Sequence, residues 1–296
     1  MDAGAVASGW WHYPVLLAES IEYLAIRPDG IYVDMTAGLG GHTAAIAERL
    51  DSGFVIACDR DSESLELART NTAQWEERIR FFHGSFSKLP EALAENGVAE
   101  VDGVLADLGV SRYQLSSGER GFSLMEDGPL DMRMDRSQSL TAADLVNELP
   151  ETELADLIYQ LGEERRSRRI SRAIVRARPI RTTGRLAQVI EGAVPRTGRL
   201  HPGTQTFMAL RLKVNGELEE LDWLLRIAPG RLRPGGRFVV LTFMSAEDRK
   251  VKQAFQVLAR TGEMKILTKH VVKPGEREVA ENAASRSAKL RAAEKK

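Results

Sequence analysis

A glycine-rich turn after a short apolar run is the first feature of this sequence that could do chemistry. The segment VDMTAGLGGH runs from Val33 to His42. Glycines adopt positive φ and let the backbone approach a ligand closely. The helix predicted to start at His42 directs its free N–H groups into the same space. The turn therefore predicts a binding site for a nucleotide-like cofactor.

The acid Asp34, which lies before the glycines, bears on the choice of cofactor. A carboxylate is unfavourable beside a pyrophosphate, whereas the sulfonium and amino groups of S-adenosylmethionine are cationic. The turn also lacks the G-x-G-x-x-G spacing of dinucleotide sites. These features favour a methyl donor. A nicotinamide dehydrogenase is the less favoured alternative.

Three further side chains lie where an adenosine-containing cofactor would contact them, and each has a structural alternative. Asp59 ends a predicted strand and could accept hydrogen bonds from ribose hydroxyls, or it could cap the next helix. Phe86 could wall the adenine, or it could belong to the core. His42 could serve catalysis, or it could be a capping or surface residue.

The segment DLGVSRYQL, Asp107 to Leu115, follows another apolar run. Methylation of an amino group needs a polar acceptor that orients the amine and localises its lone pair. Asp107 and Ser111 are candidates for this work. The alternative for Asp107 is a structural carboxylate in a turn.

The elements that must position these residues alternate between short apolar strands and helical patterns, which is typical of a parallel α/β sheet. We predict an α/β fold with a doubly wound, Rossmann-like sheet of the class I methyltransferase type. The predicted strands are Ile31 to Asp34, Phe54 to Asp59, Arg78 to Phe82, Val101 to Asp107 and Arg237 to Phe243.

The alternation stops after the fourth strand. Between the fourth and the fifth predicted strand we predict only helices. They are 139–147, 151–161, 163–178, 183–191 and 215–227. Thr141 and Thr183 are the predicted helix caps. The sequence therefore predicts that residues 1–114 and 212–296 form a cofactor-binding domain. Residues 115–211 are predicted to form an inserted helical domain that binds the substrate.

Several segments together resemble the RsmH/MraW family of bacterial 16S rRNA cytosine-N4 methyltransferases. They occur in the family's order over nearly the whole chain, from about His12 to Arg291. The segments are HYPVLL, DMTAGLGGH, DLGVSRYQL, RGFSLMEDGPLDMRMD, GEERRSRRI, TFMALRLKVNGEL and SRSAKLR.

This resemblance implies a methyltransferase fold with a helical insertion and S-adenosyl-L-methionine as cofactor. It implies methylation of N4 of a cytosine in the decoding region of 16S rRNA, with the small ribosomal subunit as partner. The cofactor contacts implied by the resemblance fall on Gly40, Gly41, His42, Asp59, Phe86, Asp107 and Gln114. An activating role of Asp107 toward the amine is our own hypothesis.

The sequence departs from the family's pattern in a few places. The usual histidine after the last core strand is Met244, Ser-Ser-Pro is Ser111-Arg112-Tyr113, and Met208 stands where glutamine is usual. If the missing histidine helps to place the target base, base recognition or rate is affected. An alternative function is therefore a catalytically weak RNA-binding or ribosome assembly factor that retains the cofactor fold. A DNA or protein acceptor is a further alternative.

Local charge points to a polyanionic partner, although the net charge is only −1. Nine arginines lie between Gly162 and Arg185. At 100° per residue, one helical stripe of a single sign is formed by Arg165, Arg168, Arg169, Arg172 and Arg176. Such a stripe suits phosphate contacts, although a charged stripe is more often a solvated face.

Composition excludes several classes of protein. The single cysteine, Cys58, excludes an intramolecular disulfide framework. It is predicted to be a core residue, which disfavours C5 methylation through a cysteine adduct. We see no histidine spacing typical of a metal site, no secretory signal and no membrane-spanning run. The sequence predicts a cytoplasmic protein, whereas its oligomeric state stays open.

Overall fold

The computed structural model describes residues 14–196 and 201–296. His12 and Tyr13, which begin one of the family-like segments, lie outside this range. The chain divides into two compact units. The first runs to Gly109 and resumes from Glu220 to Lys296, and the second is Val110–Glu219. The second unit is slightly wider than the predicted insertion of 115–211, and its assignment to substrate binding stays a prediction.

The first unit is built on a seven-stranded sheet. The strands are β1 (Ile31–Asp34), β2 (Phe54–Asp59), β3 (Ile79–His83), β4 (Val101–Asp107), β5 (Leu232–Thr242), β6 (Met264–Ile266) and β7 (Lys289–Lys295). Their order in the sheet is β3-β2-β1-β4-β5-β7-β6. Neighbours from β3 to β5 are parallel, and β7 is antiparallel to both of its neighbours.

Helices cover both faces of this sheet. They are α1 (Leu17–Leu24), α2 (Gly41–Ala47), α3 (Ser62–Asn71), α4 (Leu89–Glu95), α12 (Ser245–Arg260) and α11 (Glu217–Ile227), which begins in the second unit. A further short helix, α13 (Glu276–Glu281), buries none of its residues. Alternate residues of β1 enter different hydrophobic clusters, Val33 with α4, α11 and α12, and Tyr32 with α1, α2 and α3. The predicted doubly wound α/β fold is therefore confirmed.

The sequence predicted β1, β2 and β4 with their observed bounds, and it missed two strands. β3 is shifted by one residue, and β5 begins at Leu232 rather than Arg237. β6 and β7 escaped prediction because β6 has only three residues and β7, KLRAAEK, is not an apolar run. β7 is half-buried because it pairs with β5 on one side and β6 on the other.

The second unit is helical and has a hydrophobic core of its own. Apart from an isolated bridge between Pro129 and Thr182, its described residues form no strand. Its helices are α5 (Arg112–Ser116), α6 (Ala142–Glu148), α7 (Glu151–Gly162), α8 (Ser167–Ala177), α9 (Thr183–Ala193) and α10 (Thr204–Asn215).

The starts of α6 and α8 and the cap of α9 differ from prediction, and α6 begins at Ala142 rather than 139. The cap of α9 is Thr182, whose side chain accepts from the Arg185 N–H, and not Thr183, which is the first helical residue. α8 begins at Ser167 rather than 163, because Glu163 has a left-handed backbone that ends α7. The predicted cap Thr141 is confirmed and forms a capping box with Asp144.

None of the helices in the described ranges combines the length and apolar character that crossing a membrane requires.

Candidate active site

The glycine-rich turn connects the carboxyl end of β1 to α2, where the ends of β2 and β4 also lie. Gly38 and Gly40 have positive φ, 52° and 90°. A side chain at Gly40 would also bring its Cβ within 2.7 Å of Thr72 Cγ2. The Gly38 N–H donates to the Asp59 carboxylate over 2.8 Å. The turn is thus tied to β2, and two of its residues must be glycine for this backbone path.

Asp34 has an internal role that differs from the one the sequence suggested. It is fully buried, and its oxygens accept hydrogen bonds from the Thr43 hydroxyl at 2.7 Å and the Thr36 N–H at 3.0 Å. Burial raises the pKa of this carboxyl. Its side chain therefore holds the turn together and acts on a ligand only through its electrostatic field.

Asp59 ends β2 and is partly exposed. Its two oxygens accept from the backbone N–H groups of Gly38 and Asp61. Burial raises its pKa to about 6, although these two hydrogen bonds oppose the shift. Each carboxylate oxygen keeps a second lone pair, so Asp59 can also accept hydroxyl protons from a ribose. The cap of α3 is Asp61 rather than Asp59, so the structural alternative for Asp59 is wrong.

Asp107 ends β4, on the other side of the turn. Its backbone N–H donates to Thr36 Oγ1 over 2.7 Å, which fixes the strand end against the turn. Its Oδ1 is buried and has no hydrogen-bond partner among the described residues. Burial, followed by repulsion from Asp34 and Glu247, raises its pKa to about 8. A buried polar atom without a partner is unusual and indicates a binding or catalytic role.

His42 is a buried residue of the first turn of α2. Its Nδ1 lies 3.7 Å from Asp107 Oδ2. The predicted contacts His42 and Asp107 are therefore brought together, and the surface alternative for His42 is wrong. This distance is longer than a hydrogen bond, so the imidazole neighbours the carboxyl without satisfying it.

Phe86 opens a short 3-10 turn, Phe86–Lys88, that follows β3. It is partly buried and packs against the core cluster that contains Val33. The next residue, Ser87, donates through both its N–H and its hydroxyl to the Glu220 carboxylate, at 2.9 and 3.1 Å. Glu220 therefore fixes the turn that carries Phe86. The role of Phe86 as a wall for adenine stays a prediction.

Ser111 and Gln114 belong to the second unit and form the capping box of α5. The Ser111 N–H donates to the Gln114 side-chain oxygen over 2.9 Å, and the Gln114 N–H donates to Ser111 Oγ over 3.2 Å. Both side chains thus shape the start of a helix. Their predicted roles in catalysis and cofactor binding remain predictions.

The Met244 segment keeps its local structure despite the departure from the family's pattern. Met244 is the N-cap of α12, and the buried Glu247 accepts hydrogen bonds from the N–H groups of Phe243 and Met244. The turn after β5 is therefore held by the backbone and Glu247. Neither Glu247 nor Thr36 was predicted to matter. Glu247 is in the first turn of the helix after β5, and Thr36 follows β1 in the glycine turn, so their positions close to strand ends were a usable signal.

The five stripe arginines are all exposed, although only four of them are on α8 because Arg165 precedes it. Arg172 lies 3.3 Å from Glu151 in an exposed pair. Arg166 and Arg178, which are not on the stripe, bond instead to Glu164 and to backbone carbonyls. The exposed stripe is therefore distinct from the arginines with structural hydrogen bonds, and its guanidinium groups are of the kind that contact phosphates.

Two other chemistries find no support among the described residues. Cys58 is fully buried in β2, and burial raises the pKa of its thiol well above the ordinary value, so it is unsuited to act as a nucleophile. Within the described ranges, no group of three or more His, Cys, Asp or Glu side chains could hold a metal ion.

The described side chains of the first unit fit an adenosine-containing cation. The glycine turn leaves the backbone accessible at Gly38, where an added Cβ would meet nothing closer than 3.8 Å. Asp59 offers carboxylate lone pairs, and Asp107 offers a buried oxygen without a partner. A cationic ligand would offset the repulsion among Asp34, Asp107 and Glu247. These features match S-adenosylmethionine.

Comparison with known proteins identifies the family. The model of the MraW methylase family matches residues 9–296. Among solved structures, an rRNA methylase from Streptococcus thermophilus is similar with a TM-score of 0.43 and 13% identity, over 97% of this chain and 99% of that one.

Curated relatives are much more similar in sequence. Ribosomal RNA small subunit methyltransferase H of Solibacter usitatus is 62% identical over 96% of this chain and 99% of its own. The protein of the same name in Acidobacterium capsulatum is 49% identical over 96% of this chain and 98% of its own. The resemblance inferred from the motifs is thereby confirmed, and this chain belongs to the MraW methylase family.

Proposed function

We propose that this protein transfers the methyl group of S-adenosylmethionine to N4 of a cytosine in the decoding region of 16S rRNA. Methyl transfer is the reaction of the family to which the chain belongs. Ribosomal RNA of the small subunit is named in its relatives at 62% and 49% identity. The cytosine N4 position is the finer part of the proposal and follows from the resemblance of the motifs.

The observation that carries the proposal is the state of Asp107. Its Oδ1 is buried without a partner among the described residues, at the strand end that adjoins the glycine turn. An exocyclic amine placed there can donate an N–H to this oxygen, which localises the nitrogen lone pair for attack. Bound S-adenosylmethionine supplies an activated methyl group on a positively charged sulfur.

Asp107 also suits the removal of the proton that the amine must lose. A general base works best when its pKa is near the pH at which the enzyme acts. Burial and two neighbouring acids bring the pKa of Asp107 to about 8. We therefore assign Asp107 as the proton acceptor, whereas the predicted role of Ser111 in orienting the amine stays a prediction.

The second unit supports the choice of RNA as substrate. Its α8 presents exposed arginines whose described surroundings contain a single acidic partner, Glu151. Such a surface binds phosphates without sequence selection, so the choice of base falls to the site around Asp107. The proposed substrate is in the small ribosomal subunit, which places the enzyme in the cytoplasm.

Mapping N4-methylcytosine in 16S rRNA from cells with and without this protein tests the proposal. We expect one cytosine in the decoding region to lose its methyl group when the protein is absent. Purified protein should then methylate small subunits from those cells but not naked DNA. An unchanged rRNA map, or methylation of DNA alone, would refute the proposal. Binding of the donor without any transfer would favour the ribosome assembly factor.

A further inference from the structure

Gly41 is a glycine for a reason different from that of Gly38 and Gly40. It is the first residue of α2, and its φ is not among the positive values that only glycine adopts readily. An added Cβ at Gly41 would instead lie 2.4 Å from Pro14 Cγ and 3.2 Å from its Cδ. The space that a side chain would need is therefore filled by Pro14.

The segment that carries Pro14 is held in an unfavourable backbone conformation. Leu16 is fully buried and has a left-handed φ of 50°, which a leucine keeps only where its surroundings hold it. Its N–H donates over 2.8 Å to Oε1 of Glu278, on the C-terminal helix α13. The two ends of the first unit thus meet beside the glycine turn, joined by a hydrogen bond across 262 residues.

We propose that Pro14 is a positioning residue that packs the glycine turn of the cofactor site, and that Glu278 acts through Leu16 to keep it there. This inference rests on the proposed function, because it takes the glycine turn to be part of the cofactor site. It predicts that cofactor affinity depends on Pro14 and Glu278, which are not among the cofactor contacts implied by the family resemblance.

A double-mutant cycle between Gly41 and Pro14 tests the packing. Gly41→Ala should weaken binding of S-adenosylhomocysteine by about tenfold, because the new methyl group displaces Pro14 or the turn. Pro14→Ala removes Cγ and Cδ and leaves only the ordinary 3.5 Å contact of Cβ. The double variant should therefore bind within about threefold of Pro14→Ala alone.

A different reason for the glycine at position 41 predicts a different result. If Gly41 is needed because the ligand approaches its backbone, the double variant will bind as weakly as Gly41→Ala, and the proposal is wrong. Unchanged affinity in Gly41→Ala would also overturn it. Should Gly41→Ala fail to fold, recovery of a cooperative thermal transition in the double variant supports the packing, and no recovery contradicts it.

Variants of Glu278 test the hydrogen bond from the Leu16 N–H to its carboxylate. Glu278→Gln keeps an oxygen that can accept from the Leu16 N–H, whereas Glu278→Ala leaves that N–H unsatisfied. We expect Glu278→Ala to weaken S-adenosylhomocysteine binding by about tenfold and to speed hydrogen exchange at the Leu16 amide. Glu278→Gln should restore both. The control Glu281→Ala removes an exposed pair with Arg277 on the same helix and should change neither.

Equal binding by Glu278→Ala and the unaltered protein would overturn the role of Glu278. The same measurements distinguish failure of the proposed function from failure of the packing role of Pro14. If the unaltered protein does not bind S-adenosylhomocysteine at all, the proposed function fails. The thermal transitions of the Gly41 and Pro14 cycle would still decide whether Pro14 packs against the turn.

Discussion

The strands β1, β2 and β4 each end in an aspartate close to the glycine turn. Asp34, Asp59 and Asp107 differ in burial and in the hydrogen bonds that they already accept. Asp34 is fully buried, and its oxygens accept hydrogen bonds from Thr36 and Thr43. Asp59 is tied to the glycine turn, and Asp107 keeps an oxygen without a described partner. In the proposed function, one residue type therefore serves structure at Asp34, cofactor binding at Asp59 and acceptor chemistry at Asp107, according to the hydrogen bonds that each already accepts.

The first residue-level prediction concerns the activating role of Asp107. Asp107→Asn keeps the size of the side chain but cannot accept the proton of the amine. We expect kcat to fall by about 100-fold or more, while the dissociation constant of the methyl donor changes much less. Single-turnover kinetics and calorimetry would measure the two effects separately. Equal losses in rate and affinity would assign Asp107 to cofactor binding alone.

The second concerns the stability of the folded protein as a function of pH. The pKa of Asp107 is raised from 3.8 to about 8, so between these values the folded state binds more protons than the unfolded state. The free energy of unfolding should therefore fall as the pH rises through this window. The Asp107→Asn variant cannot ionise at this position, so its free energy of unfolding should not fall for this reason. The difference in free energy of unfolding between the variant and the unaltered protein should therefore shift in favour of the variant toward pH 8.

Urea unfolding of both proteins across this pH range would measure the difference. Its size should be on the order of a few kcal/mol, since one pKa unit corresponds to about 1.4 kcal/mol. Asp222→Asn is a suitable control because Asp222 forms a half-exposed pair with Lys250. A gap between Asp107→Asn and the unaltered protein that does not vary with pH would show that Asp107 is already ionised in the folded state.

Among the elements, α8 is the one that we propose to contact the RNA. Its buried face contains Ile170 and Ile174 and belongs to the core of the second unit. Its other face exposes arginines that no core contact explains. Burial of the apolar stripe therefore fixes the orientation of the cationic one, and the helix presents its charge as a rigid surface.

Charge reversal on α8 tests this surface. Arg168→Glu combined with Arg176→Glu should weaken binding of 16S rRNA and reduce the slope of log K against log salt by about one for each phosphate that the helix no longer neutralises. Filter binding at several salt concentrations would measure it. The double reversal of Arg260 and Arg277, which are exposed in the first unit, changes net charge equally and should have a smaller effect. An unchanged salt slope in the α8 variant would refute the role of these arginines.

The whole molecule consists of a discontinuous first unit and a continuous second one. Val110–Glu219 has its own hydrophobic core and internal ties, such as the Asn215 side chain to the Met132 and Met134 backbone. A continuous segment with its own core can fold independently. The sheet of the first unit, by contrast, needs β4 and β5 from the two sides of the insertion.

We therefore expect the isolated fragment 110–219 to fold by itself. Its circular dichroism should be helical, its urea unfolding cooperative, and its binding to 16S rRNA dependent on salt. It should not bind S-adenosylhomocysteine, because the glycine turn and Asp59 are in the other unit. An unfolded fragment would show that the second unit depends on the first, and a folded fragment without affinity for RNA would move the RNA-binding surface elsewhere.

The sequence by itself determined the features that depend on residues close together along the chain. The buried parallel strands are mostly apolar runs that end in an acid, so β1, β2 and β4 were predicted to the residue. The glycine turn follows from residue types at neighbouring positions, and the family from the order of several motifs. The position of Asp59 and Asp107 at strand ends follows from the same runs, because an acid ends a buried strand where the chain leaves the core.

Only the tertiary structure decided which groups were already satisfied and which were free to act. Asp34 was expected to face the cofactor, but Thr36 and Thr43 occupy its oxygens. β7 lacks an apolar pattern and exists because its backbone pairs with β5. Gly41 owes its lack of a side chain to Pro14, and Leu16 is held by Glu278 from the far end of the chain. These outcomes depend on contacts between distant residues, whose energies no local pattern contains.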